Sequence, residues 1–207
     1  YNMVPTTIKR VELLAPAGDI ASLRAAIEAG CDAVYLGGKQ FGARAYSNNF
    51  TREDLVEAIK LCHLYGVKVY VTCNTIIYEN EVPSFLDYVR FLHQNNVDAI
   101  LIQDLGMLDL VRKKFPNLEI HSSTQMHIHN LDDVKLMEML GVKRVVLARE
   151  TSIDTIKDIK AHSNIDLEIF VHGSLCISYS GECLMSSLIG GRSGNRGMCA
   201  GTCRLPY

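Results

Sequence analysis

Short apolar runs alternate along the chain with amphipathic stretches of helical spacing. Seven of the apolar runs predict β-strands, and turn or loop residues follow each of them. The predicted strands are Val11–Ala15, Ala33–Leu36, Lys68–Cys73, Ala99–Ile102, Glu119–Ser122, Arg144–Ala148 and Leu167–Val171. Because strands that alternate with helices pair in parallel through right-handed crossovers, this order predicts an α/β fold.

Capping residues mark several of the helices between these strands. A short polar side chain at a helix start accepts a hydrogen bond from a backbone amide, and a glycine often follows the helix end. The predicted helix starts are Asp19, Thr51 with Asp54, Asn130 with Asp133, and Thr151 with Asp154; the predicted helix stops are Gly30, Gly66 and Gly141. Pro83 suits the first turn of the third helix.

A TIM-barrel-like (βα)8 barrel is the favoured architecture, and a doubly wound open sheet is the alternative. The first strand–turn, APAGD at residues 15–19, has no GxGxxG pattern, which argues against a dinucleotide-binding sheet. Only seven strands are predicted, so the barrel is expected to be truncated, with the eighth βα unit past Tyr207. Its open edge would need cover from another segment or a homologous partner subunit.

The expected organisation has three parts: an N-terminal tail at residues 1–10, the barrel at residues 11–173, and a cysteine-rich segment at residues 174–207. Active sites of such barrels lie at the carboxyl ends of the strands, which we call the barrel mouth. Candidate substrate-binding residues there are Arg44, Asn74, His121, Ser123, Thr124 and Gln125, and candidate catalytic residues are Gln103, Asp104, Arg149, Glu150 and His172. Many of these side chains could instead only cap helices or bond the backbone.

Two arginines and one histidine of this set, and two further histidines, raise specific chemistry. Arg44 and Arg149 could clamp a carboxylate, because a guanidinium matches carboxylate geometry. His172 lies four residues before Cys176 and could transfer protons or simply pack. His127 and His129 are spaced for one face of a strand, but no carboxylate set accompanies them, so a histidine metal site is weakly indicated.

Composition narrows the functional class only slightly. The formal net charge is −2, 48% of residues are hydrophobic and 21% are charged, so no strongly basic balance indicates nucleic acid binding. No apolar run approaches the roughly 18–20 residues of a membrane span, and the N-terminus lacks the regions of a signal peptide. Seven cysteines in such a chain predict a reducing, cytoplasmic location.

Four of the seven cysteines lie in the cysteine-rich segment. Cys176, Cys183, Cys199 and Cys203 are separated by six, fifteen and three residues. Disulfides would require an oxidising compartment, and zinc favours ligand pairs two to four residues apart, which only Cys199 and Cys203 offer. An iron–sulfur cluster tolerates variable spacing, and the glycines of the segment would let the backbone approach the sulfurs.

Several motifs resemble peptidase family U32, the collagenase-like peptidases. They are ELLAPAGD at residues 12–19, DAVYLGG at 32–38, FGARAYSNNF at 41–50, EIF at 168–170, GSLC at 173–176, GECLMS at 181–186 and NRGMCAGTCRLPY at 195–207. The resemblance covers nearly the whole chain and concerns the N-terminal part of the family. It implies an old assignment as proteases, and better understood relatives that hydroxylate tRNA, ribosomal RNA or ubiquinone without oxygen.

The resemblance also implies a 4Fe–4S cluster and, for the RNA hydroxylases, prephenate as the oxygen donor. Cys176, Cys183 and Cys199 match cluster ligands of the family; Cys203 would substitute for a fourth ligand that lies further downstream in relatives. The expected partner is a tRNA or ribosomal RNA substrate. A true peptidase that cleaves denatured collagen-like peptides and a zinc-stabilised binding module are the alternatives, although the chain has neither HExxH nor GxSxG.

Overall fold

The computed structural model of the chain describes residues 10–206. Strands and helices alternate from the first to the seventh strand, and one more helix follows in the cysteine-rich segment. The elements are β1 (Leu14–Ala17), α1 (Ile20–Glu28), β2 (Ala33–Gly37), α2 (Arg52–Leu64), β3 (Lys68–Cys73), α3 (Val82–Gln94), β4 (Ala99–Ile102), α4 (Leu105–Lys114), β5 (Glu119–Ser122), α5 (Leu131–Met139), β6 (Arg144–Val146), α6 (Ile153–His162), β7 (Asp166–Glu168) and α7 (Met185–Gly190).

The seven strands form one parallel sheet in the order β1 to β7, which confirms the predicted barrel-like α/β fold. The sheet is an open barrel, because β1 and β7 are not paired with each other among residues 10–206. Side chains alternate between two apolar clusters. The larger cluster packs the outer face of the strands against the helices, as Val71 and Leu92 do, and the smaller one fills the inner face around Tyr70 and Leu101.

Most of the predicted helix caps are confirmed. The Asp19 carboxylate accepts from Ser22 N, Thr51 and Asp54 form a reciprocal capping box, and Asn130 accepts from Asp133 N. The prediction for α6 is wrong by one residue. Ser152 Oγ accepts from Thr155 N, whereas the hydroxyl of Thr151 donates to the carbonyl of Ala148.

The predicted bounds of β1, β6 and β7 are wrong, whereas those of β3, β4 and β5 are confirmed. β1 begins at Leu14, and Val11 is 83% exposed because it precedes the sheet. β6 ends at Val146, since the amide of Ala148 bonds to the carbonyl of Ile128 in a loop. β7 covers only residues 166–168, and Val171 is 84% exposed beyond it.

The remaining expectations concern the tail, the early cysteines and membrane insertion. Residues 1–9 of the predicted tail lie outside the described residues, and Arg10 pairs with Asp32 at 2.9 Å. Cys31, Cys62 and Cys73 are buried in the core, as expected. None of the helices within residues 10–206 combines the length and the apolar character needed to cross a bilayer.

Candidate active site

The mouth of the barrel is organised around a hydrogen bond between Asn74 and Ser123. Asn74 follows β3 and Ser123 follows β5, and the Asn74 amide donates to Ser123 Oγ at 3.1 Å. The other end of the Asn74 side chain accepts from the amide of Ala43 at 3.0 Å. Both residues are buried. Their bond therefore fixes the loop between β2 and α2 against the carboxyl ends of the central strands.

Two other predicted site residues have their polar atoms occupied by the protein itself. The Asp104 carboxylate caps α4, with one oxygen 3.1 Å from Met107 N and the other 3.1 Å from Ile77 N. The hydroxyl of Thr124 donates to the carbonyl of Leu147 at 3.3 Å. In this conformation Asp104 and Thr124 hold backbone segments of the mouth in place.

His121 forms the floor of the site inside the barrel rather than its rim. Its side chain is fully buried, its Nε2 lies 2.9 Å from Glu119 Oε1, and its ring contacts Tyr70 edge-on at 4.7 Å between centroids. Burial lowers the pKa of His121, and this effect outweighs the opposing influence of Glu119. The imidazole is therefore neutral at pH 7, and Nε2 carries the proton that is donated to Glu119.

The first part of the cysteine-rich segment covers one side of the mouth. Ser180 is buried, and its amide and hydroxyl donate to the two carboxylate oxygens of Glu150, each at 3.0 Å. Ser180 Oγ also accepts from Arg149 N at 3.2 Å, and the Arg149 guanidinium donates to the carbonyl of Ser178 at 3.1 Å. Arg149 and Glu150 thus anchor the segment between Cys176 and Cys183.

His127 adds a second contact to this anchor. Its Nε2 lies 3.0 Å from Glu150 Oε1, and its Nδ1 lies 3.5 Å from Glu182 Oε1. The ring stacks on His129 at 4.9 Å between centroids. Burial raises the pKa of Glu150, but hydrogen bonds from Ser180 outweigh it and hold the pKa below its usual value, so the carboxylate is ionised at neutral pH.

The later part of the segment is attached to the opposite side of the mouth. The Arg196 guanidinium makes two contacts of 2.7 Å with the Glu81 carboxylate and donates to the carbonyl of Ile76 at 2.6 Å. The hydrogen bonds of Arg196 are the main reason that the pKa of Glu81 is lowered. Gly197 has φ +75°, and a Cβ there would lie 2.5 Å from the carbonyl oxygen of Gly42. Glycine is therefore required where the segment meets the β2–α2 loop.

A cavity of about 330 Å³ opens beside this second attachment. Lys39, Gln40, Glu81, Ser84 and Arg196 contribute to its lining. None of the predicted catalytic residues lines it. The strand-end residues, with their buried and hydrogen-bonded polar groups, remain the better candidate site on chemical grounds.

The four late cysteines are free thiols within one folded segment, with Cys176 and Cys183 half-buried and Cys199 and Cys203 exposed. Gly194 lies against both Cys183 and Cys199, since a Cβ there would be 3.8 Å from the carbonyl oxygen of the first and from the Cβ of the second. The amide of Gly201 donates to Cys199 Sγ at 3.4 Å. Such donors suit a cluster-bound thiolate.

The described conformation does not assemble a metal centre from these thiols. Within residues 10–206 no three histidine, cysteine, aspartate or glutamate side chains lie close enough to hold an ion. Thiols are the ligand type of an iron–sulfur cluster, but the described conformation does not bring three of them together. His127 and His129 stack on each other and likewise belong to no such group.

Arg44 and His172 are both exposed. Arg44 lies in the β2–α2 loop, near enough to Tyr35 for its charge to affect the hydroxyl. The pKa of Tyr35 is raised by burial, which exceeds the opposing effect of Arg44, while Glu168 raises it further. His172 follows β7 and is exposed. The charge of Arg44 thus acts on the inward-facing Tyr35, and the structure gives His172 no comparable relationship.

Sequence reasoning missed a charged network inside the barrel. Glu12 lies just before β1, and Arg144, Lys68 and Glu168 reach the same interior from β6, β3 and β7. Arg144 is 11% exposed although it begins a strand. The sequence did contain a signal for it. Residues two apart on a strand share one face, and Arg144 lies two residues before the inward-facing Val146.

Comparisons with known proteins identify one family for the chain. A sequence model of peptidase family U32 matches residues 18–207. The chain is 43% identical over 198 residues to the 23S rRNA 5-hydroxycytidine C2501 synthase of Escherichia coli (strain K12), covering 96% of this chain and 30% of that protein. It is 40% identical over 199 residues to tRNA hydroxylation protein P1 of Bacillus subtilis (strain 168), covering 96% of this chain and 47% of that protein. The chain therefore spans less than half the length of either relative.

A solved structure shows the same fold. The U32 peptidase Mk0906 superposes with a TM-score of 0.68 over 82% of this chain and 72% of that one, at 11% identity. At this level of identity the similarity concerns the arrangement of strands and helices.

Proposed function

The chain belongs to peptidase family U32, and from that premise we propose that it is the barrel region of an enzyme that hydroxylates a base in tRNA or ribosomal RNA. One observation carries the proposal. Two relatives that match 96% of this chain at 40% identity or more are named for RNA hydroxylation, one on a cytidine of 23S rRNA and the other on tRNA.

The mouth of the barrel supports this reaction by its shape and polarity. A base must leave its stack to reach an enzyme atom, and it is then held by stacking and hydrogen bonds in a pocket. Asn74 and Ser123 provide a rigid polar wall, and the Ser180 region provides a cover fixed by Glu150. A site that is closed in this way would limit access of water to the reacting ring.

The cofactor proposed for this reaction is a 4Fe–4S cluster. Cys176, Cys183 and Cys199 would hold it, with Cys203 or another residue as the fourth ligand; their support is that all are free thiols in one glycine-rich segment at the mouth. Such a cluster, when bound, supplies single electrons. Arg149 and Glu150 hold the segment that carries the first two thiols against the mouth.

The oxygen donor proposed is prephenate. Hydroxylation replaces one ring C–H by C–OH and removes two electrons from the base, so the donor gives up its oxygen and is reduced by two electrons in the same turnover. Arg44 and Arg149 are suited to bind its two carboxylates, because each presents a planar set of donors. Arg149 is already anchored to Ser178, which orients its guanidinium.

Nucleoside analysis tests the proposal. The encoding gene is deleted, tRNA and ribosomal RNA are digested separately, and hydroxylated nucleosides are measured by mass spectrometry. We expect one such nucleoside to disappear and to return when the full-length gene is restored, but not with Cys176→Ala. Cys31→Ala, which changes a core thiol, is the matched control. Unchanged nucleosides together with cleavage of denatured collagen by the purified protein would instead establish a peptidase.

A further inference from the structure

Two exposed tyrosines beside the barrel mouth each carry an arginine of the cysteine-rich segment on one face of the ring. Cζ of Arg192 lies 4.4 Å from the ring centroid of Tyr46, and Cζ of Arg196 lies 4.3 Å from the ring centroid of Tyr78. Tyr46 is 67% exposed and Tyr78 is 58% exposed. Since the arginine covers one side of each ring, the other side is left to solvent, and rigidly held aromatic rings of this kind are typical of binding surfaces.

The cavity of about 330 Å³ reaches from the neighbourhood of one tyrosine to that of the other. Its lining includes Ala45, which is next to Tyr46 in the chain, and Arg196, which stacks on Tyr78. Lys39 also lines the cavity and is exposed. The carboxylate of the lining pairs with Arg196 at 2.7 Å, so the ammonium group of Lys39 gives the cavity a net positive charge.

The two segments that build this surface are basic, although the chain as a whole is acidic. Residues 38–50 and 174–207 together contain five arginine or lysine residues and one acidic residue, whereas the formal net charge of the chain is −2. Within residues 10–206 neither Lys39 nor Arg192 forms an ion pair. Cations gathered on one surface without internal partners indicate that its partner is a polyanion.

Aromatic rings placed among cations favour one class of polyanion. Unpaired bases of a nucleic acid stack on aromatic side chains while the phosphates contact cations, whereas an acidic peptide would leave the rings unused. We propose that Tyr46 and Tyr78 are stacking platforms for two unpaired bases of an RNA strand and that Lys39, between them, contacts the phosphates. The three residues are called the tyrosine platform. The inference rests on the proposed RNA hydroxylation for the identity of the strand, and it names the surface that holds it.

The tyrosine platform adjoins the mouth of the barrel. The amide of Ala43, in the loop that carries Tyr46, donates to the Asn74 side chain at 3.0 Å, and the amide of Ala45 donates to the carbonyl of Gly197 at 2.9 Å. A strand held on the platform therefore brings its next nucleotide to the mouth, where an unstacked base would be received. The platform binds nucleotides that flank the modified base and leaves the strand-end residues to that base.

Binding of fluorescein-labelled single-stranded RNA of mixed sequence to the full-length protein, measured by fluorescence anisotropy, tests the platform. We expect Tyr46→Leu and Tyr78→Leu each to raise the Kd about tenfold, because each removes one base stack. Tyr46→Phe keeps the ring and should keep the wild-type Kd. Tyr65→Leu is the matched control, since Tyr65 is 64% exposed but follows α2, at the end of the barrel where β3 begins.

The salt dependence of the same binding tests the phosphate contact. Lys39→Gln should reduce the slope of log K against log salt concentration by about 0.7, the value for one phosphate contact on a single strand. Lys114→Gln, at the exposed end of α4, should leave the slope unchanged. Polyglutamate of matched charge should displace the RNA poorly; displacement as effective as that by unlabelled RNA would indicate an acidic protein partner and overturn the platform.

The remaining outcomes separate the platform from the proposed function. An unchanged Kd in both leucine variants would overturn the platform, and so would the absence of RNA binding by the wild type or a weakening matched by a fall in Tm. If the wild-type gene restores no hydroxylated nucleoside in the deletion strain while the leucine variants still weaken RNA binding, the hydroxylation fails and the platform stands. A restored nucleoside with wild-type RNA binding in both leucine variants removes the platform alone.

Discussion

The guanidinium of Arg144 lies 2.6 Å from the carboxylate of Glu12, although 132 residues separate them in the chain. The same Glu12 oxygen accepts from the hydroxyl of Tyr70 at 2.8 Å, and Arg144 also reaches Glu168 of β7 at 3.5 Å. Arg144 therefore links the segment before β1 to β7. In an open barrel this ionic bridge fixes the spacing of the two outer strands, which do not pair with each other within residues 10–206.

Replacement of Arg144 by methionine should destabilise the fold strongly. It leaves Glu12 and Glu168 as half-buried carboxylates without their main cation. Breaking a fully buried ion pair costs about 3–5 kcal/mol, and this partly exposed one should cost somewhat less. The measurement is urea unfolding followed by circular dichroism. Arg24→Met is the control, since the Arg24–Glu57 contact of 4.0 Å is exposed at both ends and such pairs contribute about 0–1 kcal/mol. Equal stability of the two variants would refute the bridge.

The contribution of Glu12 to the stability of the folded state should decrease as the pH falls. Burial raises its pKa, but hydrogen bonds from Arg144 and Tyr70 and the charge of Arg144 outweigh this and bring the pKa to about 2 from the usual 4.5. A carboxyl group whose pKa is lowered by folding stabilises the folded state fully at pH values above 4.5. This stabilisation is lost as the pH falls towards 2. The stability difference between wild type and Glu12→Gln should therefore shrink between pH 5 and pH 3. A difference for Glu12→Gln that stays constant over this range would contradict the assignment.

Glu168 differs from Glu12 although both contact Arg144. Burial raises the pKa of Glu168 above its usual value, and its single contact with Arg144 at 3.5 Å does not compensate. Glu12 has the shorter contact and two further donors, Tyr70 and Lys68. The geometry thus explains why one partner of Arg144 is a stabilised carboxylate and the other is not.

The interior of the fold was predictable from sequence, whereas its edges were not. Parallel strands covered on both faces read as continuous apolar runs, which is why β3 and β4 have the predicted bounds. At the outer strands, apolar residues such as Val11 and Val171 continue past the last paired position and are exposed. The Glu12–Arg144 bridge was hidden as well, because only the curvature of the sheet brings these residues together.

The location of the candidate site could be predicted in the same way, but the hydrogen bonds of its side chains could not. The strand-end rule predicted Asn74, Gln103 and Ser123 at the mouth, and the three residues directly follow β3, β4 and β5. Whether a polar atom is engaged depends on neighbours distant in sequence, as the Asn74–Ser123 bond shows. The capping role of Asp104 could have been read locally, because Met107 lies three residues later, where an N-cap side chain accepts its bond.

Gly181→Ala should release the cover of the mouth. A Cβ would overlap the carbonyl of Gln125, and the backbone at φ +77° costs a non-glycine residue about 1–2 kcal/mol. Hydrogen–deuterium exchange of residues 178–183 should accelerate roughly tenfold, while exchange in β3 and β4 stays slow. Gly190→Ala is the matched control within the same segment, because no atom lies within 4 Å of its Cβ position and its φ is not positive. Slow exchange retained in Gly181→Ala would show that the cover is held elsewhere.

The seven thiols should divide into two classes of reactivity. Burial raises the pKa of Cys62 to about 12 and also raises that of Cys31 and Cys73, so at pH 8 roughly one Cys62 in ten thousand is a thiolate. The four cysteines of the cysteine-rich segment are half-buried or exposed. In iron-free full-length protein these four should react rapidly with a thiol reagent, and the three core thiols only after denaturation.

Removal of iron tests whether the reactive thiols of the cysteine-rich segment bind the proposed cluster. In protein purified without oxygen, Cys176, Cys183 and Cys199 should be protected, and a chelator should expose them without affecting Cys62 or Cys73. Mass mapping of the labelled cysteines identifies each site. Cys73 lies in β3 and is fully buried, so it serves as an internal measure of intact folding in every sample. Equal labelling of the three late thiols before and after chelation would exclude them as iron ligands, because a bound metal withholds the thiolate from the reagent.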